Sequence, residues 1–347
     1  MMQPPESRLP TSAVTDPLGR TDPDMIPIIY HPNYNITVFG LQRLHPFDGL
    51  KYRRIRDALI ADGFRKPADF VRAEPVRDVD LARVHTPEYL RSLRDSRVLA
   101  GILGVSVLAY LPAAFTDWRV LLPMRYATGG TILACRQALD HGLAINLSGG
   151  YHHGAASWGE GFCAYADIPI AAAALRAEGR IERVLIVDLD AHQGNGTAAT
   201  IRAWPWASIF DVFEEDLYPQ PKQPEDFPVP IRAGMPGEEY LTIVREALPE
   251  ALDAVGPDLV IYNAGSDPFE DDPRTRLRLS RDDMALRDRL VAEIVRGRGI
   301  PLAMVLSGGY ARDSWRVHAD GIEAILGRFD RPEARPAFGV PPRIHEA

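Results

Sequence analysis

Hydrophobic residues in this chain collect into short unbroken runs separated by longer amphipathic stretches. The runs lie at 26–30 (IPIIY), 143–147 (LAINL), 184–189 (VLIVDL), 259–262 (LVIY) and 302–306 (LAMVL). A strand with one wet face alternates polar and apolar residues, and these do not, so each predicts a strand covered on both faces. Helical spacing fills the intervals at 50–61, 127–141, 168–178, 238–254 and 281–297. In the last of these, Met284, Leu286, Leu290, Val291, Ile294 and Val295 mostly recur on one helical side. The alternation predicts an α/β fold: three layers, with a central, mostly parallel sheet and helices on both faces.

The chain has 347 residues and no linker long enough to divide them. One domain is therefore expected over 25–330, preceded by a disordered extension at 1–24 and followed by a proline-containing tail at 331–347. The stretch YPQPKQPEDFPVP at 218–230 reads as a long loop inside that domain. Hydrophobic residues at 46% and charged residues at 25% exclude a fibrous or mostly disordered chain. A formal charge of −8 argues against direct nucleic-acid binding. Residues 98–116 are uncharged and long enough to span a bilayer, but Gly101, Gly104, Ser106 and Pro112 interrupt them. They read as a buried helix and loop. Residues 1–24 lack the apolar core of a secretory signal, so a cytoplasmic protein is expected. Oligomeric state is not legible.

Two cysteines can build neither a disulfide framework nor a Cys-rich zinc site, so any metal must sit on histidines and carboxylates. In open parallel sheets, ligands bind beyond the carboxyl ends of the strands. The run at 143–147 leads into Ser-Gly-Gly-Tyr-His152-His153, and the run at 184–189 into Asp188-Leu-Asp190-Ala-His192-Gln-Gly-Asn195. The run at 259–262 leads to Asp267, and that at 302–306 to Ser-Gly308-Gly309-Tyr310.

Asp188, Asp190 and His192 are spaced two apart, which points them to one side of an extended strand. Two can ligate a metal with the third in support; equally, an Asp-rich turn can cap the next helix. Asp267, after a separate buried strand, favours the metal. Asp190, His192 and Asp267 supply one nitrogen and two oxygens and leave a position open, as a catalytic zinc site requires. His152 and His153 are not needed as ligands and suit acid–base work, brought together by a turn at Gly149-Gly150. Tyr310 either packs in the core or donates to a developing oxyanion, with Gly308 and Gly309 letting its loop approach a substrate. The segment GEGFCA at 159–164 lacks both the last glycine and the preceding strand of a dinucleotide loop.

At these residues the sequence resembles the zinc-dependent histone deacetylase family, with the arginase/deacetylase fold, and is most similar to its class IV branch. YNITVFGLQRLHPFDGLK, TGGTILA, SGGYHH, GEGFCAYADI, VDLDAHQGNGT, YNAGSD and SGGYARDS carry the resemblance. It implies removal of acyl groups from Nε-acyl-lysine in a protein or peptide, with one Zn²⁺ on Asp190, His192 and Asp267. It implies proton handling by His152 and His153 and carbonyl polarisation by Tyr310. Asp188 is implied as the carboxylate orienting His152, and Gly161, Phe162 and Tyr218 as lining of a narrow acyl-lysine channel. Relatives hold a structural K⁺ near Asp188; here Ile209 stands where many place a serine ligand, which weakens that expectation. Asn195 replaces the aspartate that many relatives set behind the second histidine, though the class IV pattern shares it. Arg276 stands where a glycine is usual, so an altered rim loop is expected. An acylated polyamine or other small amine is the rival substrate, and a non-catalytic acyl-lysine scaffold the rival class. A two-manganese ureohydrolase needs a carboxylate where Gly194 stands.

Overall fold

The computed structural model describes residues 25–36 and 48–330. The expectations for 1–24 and 331–347, and residues 37–47 of the first motif, lie outside them.

Eight strands form one sheet: β1 Ile28–Ile29, β2 Phe70–Val71, β3 Leu143–Asn146, β4 Val184–Asp188, β5 Ala207–Glu214, β6 Phe227–Ile231, β7 Leu259–Asn263 and β8 Leu302–Val305. Their order is β2-β1-β3-β8-β7-β4-β5-β6, and every pairing is parallel, so the sheet is more uniform than "mostly parallel". All residues of β3, β4, β7 and β8 are buried. Because successive side chains point to opposite faces, both faces must be covered. Helices Leu122–His141 and Asp167–Ala177 pack together as one layer. Gly237–Val255, Arg281–Gly297 and Ser314–Phe329, with Lys51–Ala61 against the last, form the other.

Three departures from the sequence pattern have physical reasons. β5 was not apparent because Ser208 and Asp211 break its apolar run. The proline-rich stretch is not loop throughout: β6 occupies its end as an edge strand alternating half-buried and exposed positions. Pro228 and Pro230 are tolerable there because an edge strand need not donate on its outer side. The uncharged stretch 98–116 is split into helix Ser96–Leu103, a 3-10 turn at Ser106–Tyr110 and a short helix Ala113–Thr116. Gly104 ends the first of these in the left-handed conformation, φ 62°. Among the described residues, no helix is long and apolar enough to cross a membrane.

Parallel pairing sends β3, β4, β7 and β8 out on the same edge of the sheet. Segments separated in sequence by more than a hundred residues therefore end side by side.

Candidate active site

After β3 the chain turns through Gly149 and Gly150, both at φ 81°, a conformation glycine adopts without strain. The Asp167 carboxylate holds this turn, accepting from the backbone N–H of Gly150 (2.9 Å) and Tyr151 (2.7 Å) and from Thr131 Oγ1 (2.6 Å). The turn brings the His152 and His153 rings to 4.1 Å between centroids, both buried. His152 Nδ1 meets Asp188 Oδ2 at 2.9 Å, whereas His153 Nδ1 meets Asn195 Oδ1 at 2.6 Å. Burial opposes a charge on His152, but the Asp188 and Asp190 carboxylates outweigh it and carry the imidazole up to about 9. Burial also dominates at His153; the fields of His152 and His192 add to it and hold the ring well below its ordinary value.

β4 ends at Asp188 and β7 at Asn263, adjacent in register, and the loops beyond carry Asp190, His192 and Asp267. One side-chain oxygen or nitrogen from each of the three lies within 4.8 Å of the others. His192 Nδ1 is 2.8 Å from Asp267 Oδ2 and 3.2 Å from Asp190 Oδ1. Asp267 is wholly buried; burial first, then the neighbouring Asp190, push its carboxyl up to about 7. At His192, burial is outweighed by hydrogen bonds to the two aspartates, which raise the ring to about 10. Two buried carboxylates facing one another call for a cation between them. One nitrogen and two oxygens are a donor set that suits a zinc ion with an open position. The residues present fit the metal that the sequence pattern implied. Behind them, the buried Arg287 guanidinium donates to the carbonyls of Leu189 (3.1 Å) and Gly265 (2.8 Å), fixing both ligand loops from below. Asp288 in turn accepts from Arg287 and from Tyr262 Oη at 2.6 Å.

The loop after β8 closes the site. Ser307 sits at φ 53°, a strained value for a residue with a side chain. Its Oγ is 2.9 Å from the Gly150 carbonyl and 3.1 Å from Asp190 Oδ2, tying this loop to both the histidine turn and the metal cluster. The backbone N–H of Tyr310 and Ala311 donate to Asp272 Oδ2 at 2.6 and 3.1 Å. From beneath, the buried Lys51 ammonium donates to the carbonyls of Ser307 (2.6 Å) and Gly308 (3.2 Å). Burial keeps the Tyr310 phenol well above its ordinary value, reinforced by the Asp190 and Asp267 fields, so it stands as a hydrogen-bond donor.

His152, His153, Gly161, Phe162, Gly308 and Tyr310 share the wall of one cavity with the apolar Leu103, Leu108 and Met124. A second cavity shares His153, Gly161, Phe162 and Tyr310 with it and is lined also by Glu160, His192, Tyr218 and Arg274. Tyr218 is 43% exposed, with its ring edge-on to His153 at 5.1 Å. Gly309 lies behind the wall, where a Cβ would meet Ser266 Oγ at 2.0 Å.

The structure locates two positions singled out in the sequence. Ile209 pairs with Ile186, two residues short of Asp188; the residue beside Asp188 is Asp211. Burial, then the neighbouring Glu225 and Asp188, push the Asp211 carboxyl well up. The altered rim at Arg276 is an anchor: its backbone and side chain both bind the buried Glu214 carboxylate, at 2.9 and 2.6 Å. Gly194, where a ureohydrolase needs a carboxylate, has no room for one, since a Cβ would lie 2.6 Å from Asp188 Oδ2. Asp167, Asp272, Lys51, Arg287 and Glu160 were not foreseen. Each follows no strand end, and only the rarity of lysine, at three positions, set Lys51 apart.

Known proteins share this architecture and sequence. The family model "Histone deacetylase domain" matches residues 45–325. "Histone deacetylase 2" of Arabidopsis thaliana is 40% identical over 303 residues, covering 86% of this chain and 78% of that one. "Histone deacetylase-like amidohydrolase" of Pseudomonas aeruginosa is 26% identical over 272 residues, covering 75% and 70%. The crystal structure of the HDA15 HD domain superposes with a TM-score of 0.72 at 19% identity, over 88% of each chain, which speaks for the fold alone. With most of its length matched by that model and a relative at 40% identity, the chain belongs to the histone deacetylase family.

Proposed function

We propose that this chain is a zinc-dependent amidohydrolase of the class IV branch that removes acyl groups from Nε-acyl-lysine side chains in the cytoplasm. One observation carries the reading. His192 of the buried Asp190–His192–Asp267 cluster, His153 with its proton affinity held well below the ordinary value, and the protonated phenol of Tyr310 line one cavity. Asp190, His192 and Asp267 would hold the metal, which when bound would supply Lewis-acid polarisation of the scissile carbonyl. His153, neutral at pH 7, accepts the proton of the attacking water. Tyr310 donates to the developing oxyanion, a role that needs the protonated phenol. His152, kept cationic by Asp188, stabilises negative charge beside it, and the proton for the leaving amine comes from His153 or His152. A structural K⁺ beside Asp188 would draw on Asp211 rather than Ile209.

Incubation with an acyl-lysine peptide should release the free carboxylic acid. A chelator should abolish release and added zinc restore it. An N-acetylated diamine run alongside separates a small-amine preference. Persistent inactivity of zinc-loaded protein across acyl lengths and both amine types would favour the scaffold reading.

A further inference from the structure

Glu160 lines the cavity shared by His153, His192 and Tyr310 and belongs to no step described so far, yet it is two hydrogen bonds from the proton acceptor. Its Oε1 accepts from Asn195 Nδ2 at 2.6 Å, and Asn195 Oδ1 lies 2.6 Å from His153 Nδ1. Burial first, then the neighbouring Glu160 carboxylate, push the Tyr218 phenol up. The backbone that presents Glu160 is under strain. Glu160 and Cys163 form an antiparallel bridge closed by Gly161 (φ 54°) and Phe162 (φ 70°), and Cys163 N–H donates to the Glu160 carbonyl at 2.8 Å. A phenylalanine at positive φ is rare and costly. The turn also lays Gly161 against the base, where a Cβ would meet His153 Cδ2 at 2.2 Å.

Hydrogen-bond polarity gives this chain a direction. An amide side chain has a donor end and an acceptor end that are nearly the same shape, so Asn195 alone would hold His153 in either tautomer. A carboxylate only accepts. Glu160 therefore takes the Nδ2 end, leaves Oδ1 for the imidazole and obliges Nδ1 of His153 to carry the hydrogen. Nε2 is then the free lone pair. Relatives with an aspartate behind this histidine need no such partner, because a carboxylate has no donor end.

We propose that Glu160 is a positioning residue for His153: it locks the Asn195 amide and, through it, the Nδ1–H tautomer that leaves Nε2 to accept the proton. The proposal rests on reading His153 as the general base, and its test includes a measurement that does not depend on turnover. In zinc-loaded protein labelled with ¹⁵N-histidine, the His153 ring shifts should report a single Nδ1–H tautomer. Glu160→Ala should report a mixture. With an acyl-lysine substrate, that variant should lose roughly 10–100-fold in kcat, the range for a supporting hydrogen-bond partner, with KM little changed. Adding Asn195→Asp to Glu160→Ala should restore the single tautomer and most of kcat, which repair of a merely structural defect would not do. Metal content and melting temperature check that each variant is folded. An unchanged tautomer in Glu160→Ala, a loss confined to KM, or no rescue by Asn195→Asp would overturn the proposal. Absence of turnover in every form would sink the hydrolase reading while the ring shifts still decided the role of Glu160.

Discussion

His152 and His153 are neighbours in the chain and nearly touch in space, yet what stands behind them differs in charge. His152 backs onto a carboxylate, Asp188, which itself accepts from Asn263 Nδ2 (2.8 Å) and the Asp190 N–H (3.1 Å) and is wholly buried. His153 backs onto the neutral Asn195. The first is carried up to about 9 and the second held well below the ordinary value. In the proposed mechanism, identical side chains thus serve as a cation and a proton acceptor. The lesson is that at equal burial the surrounding charges separate the two: Asp188 and Asp190 lift His152, whereas His152 and His192 add to the burial that lowers His153.

The sharpest way to break this contrast is to remove each ring in turn. His153→Ala should lower kcat by roughly 10²–10⁴, the contribution of a positioned general base. His152→Ala should cost less, because a ring already protonated accepts nothing. Equal losses in acid-release assays would end the division of labour. Next in size, Tyr310→Phe should lower kcat by roughly 10²–10³, the scale for one oxyanion donor, with metal content unchanged; near-wild-type turnover would remove Tyr310 from the reaction.

The contrast can also be erased rather than broken. In Glu160→Ala/Asn195→Asp both histidines face carboxylates, and no second carboxylate opposes the new one. A carboxylate favours the imidazolium, so His153 becomes neutral only at higher pH. The acidic limb of kcat/KM should move up by about one unit. A downward move would contradict the sign.

A third buried histidine supplies the smallest test. His85 Nε2 accepts from the Ala166 N–H at 3.1 Å, and Nδ1 faces the Ala156 carbonyl at 3.3 Å, so the neutral ring ties down both ends of the loop that bears Glu160. With no carboxylate behind it, burial lowers it from 6.5 to about 4. Its contribution to stability is fully present above 6.5, where both states are neutral. It declines as pH falls toward about 4, because the unfolded chain takes up a proton that the folded ring refuses. Melting temperatures of wild type and His85→Gln should converge as pH drops through that window; a constant gap would show that the ring titrates as freely folded as unfolded.

Much of the fold was legible because periodicity is a local property. The central strands β3, β4, β7 and β8 read as unbroken apolar runs since both of their faces are buried. β6 did not, because an edge strand keeps one side in solvent and admits proline. The metal cluster was legible for a similar reason: Asp190 and His192 are two residues apart, and Asp267 follows a strand whose end had to share their edge.

What sequence could not declare was the scaffolding around those groups. Lys51 meets Ser307 across 256 residues, and Arg276 meets Glu214 across 62. Glu160 sits 35 residues from the amide it orients, on a turn whose letters gave no dinucleotide loop and marked only its neighbours Gly161 and Phe162 as channel lining. Spacing along a chain records which side chains share a strand or helix face. A hydrogen-bond partner brought by a different loop leaves no period, so tertiary structure alone decided that Glu160 backs Asn195 and that Lys51 holds the loop of Ser307.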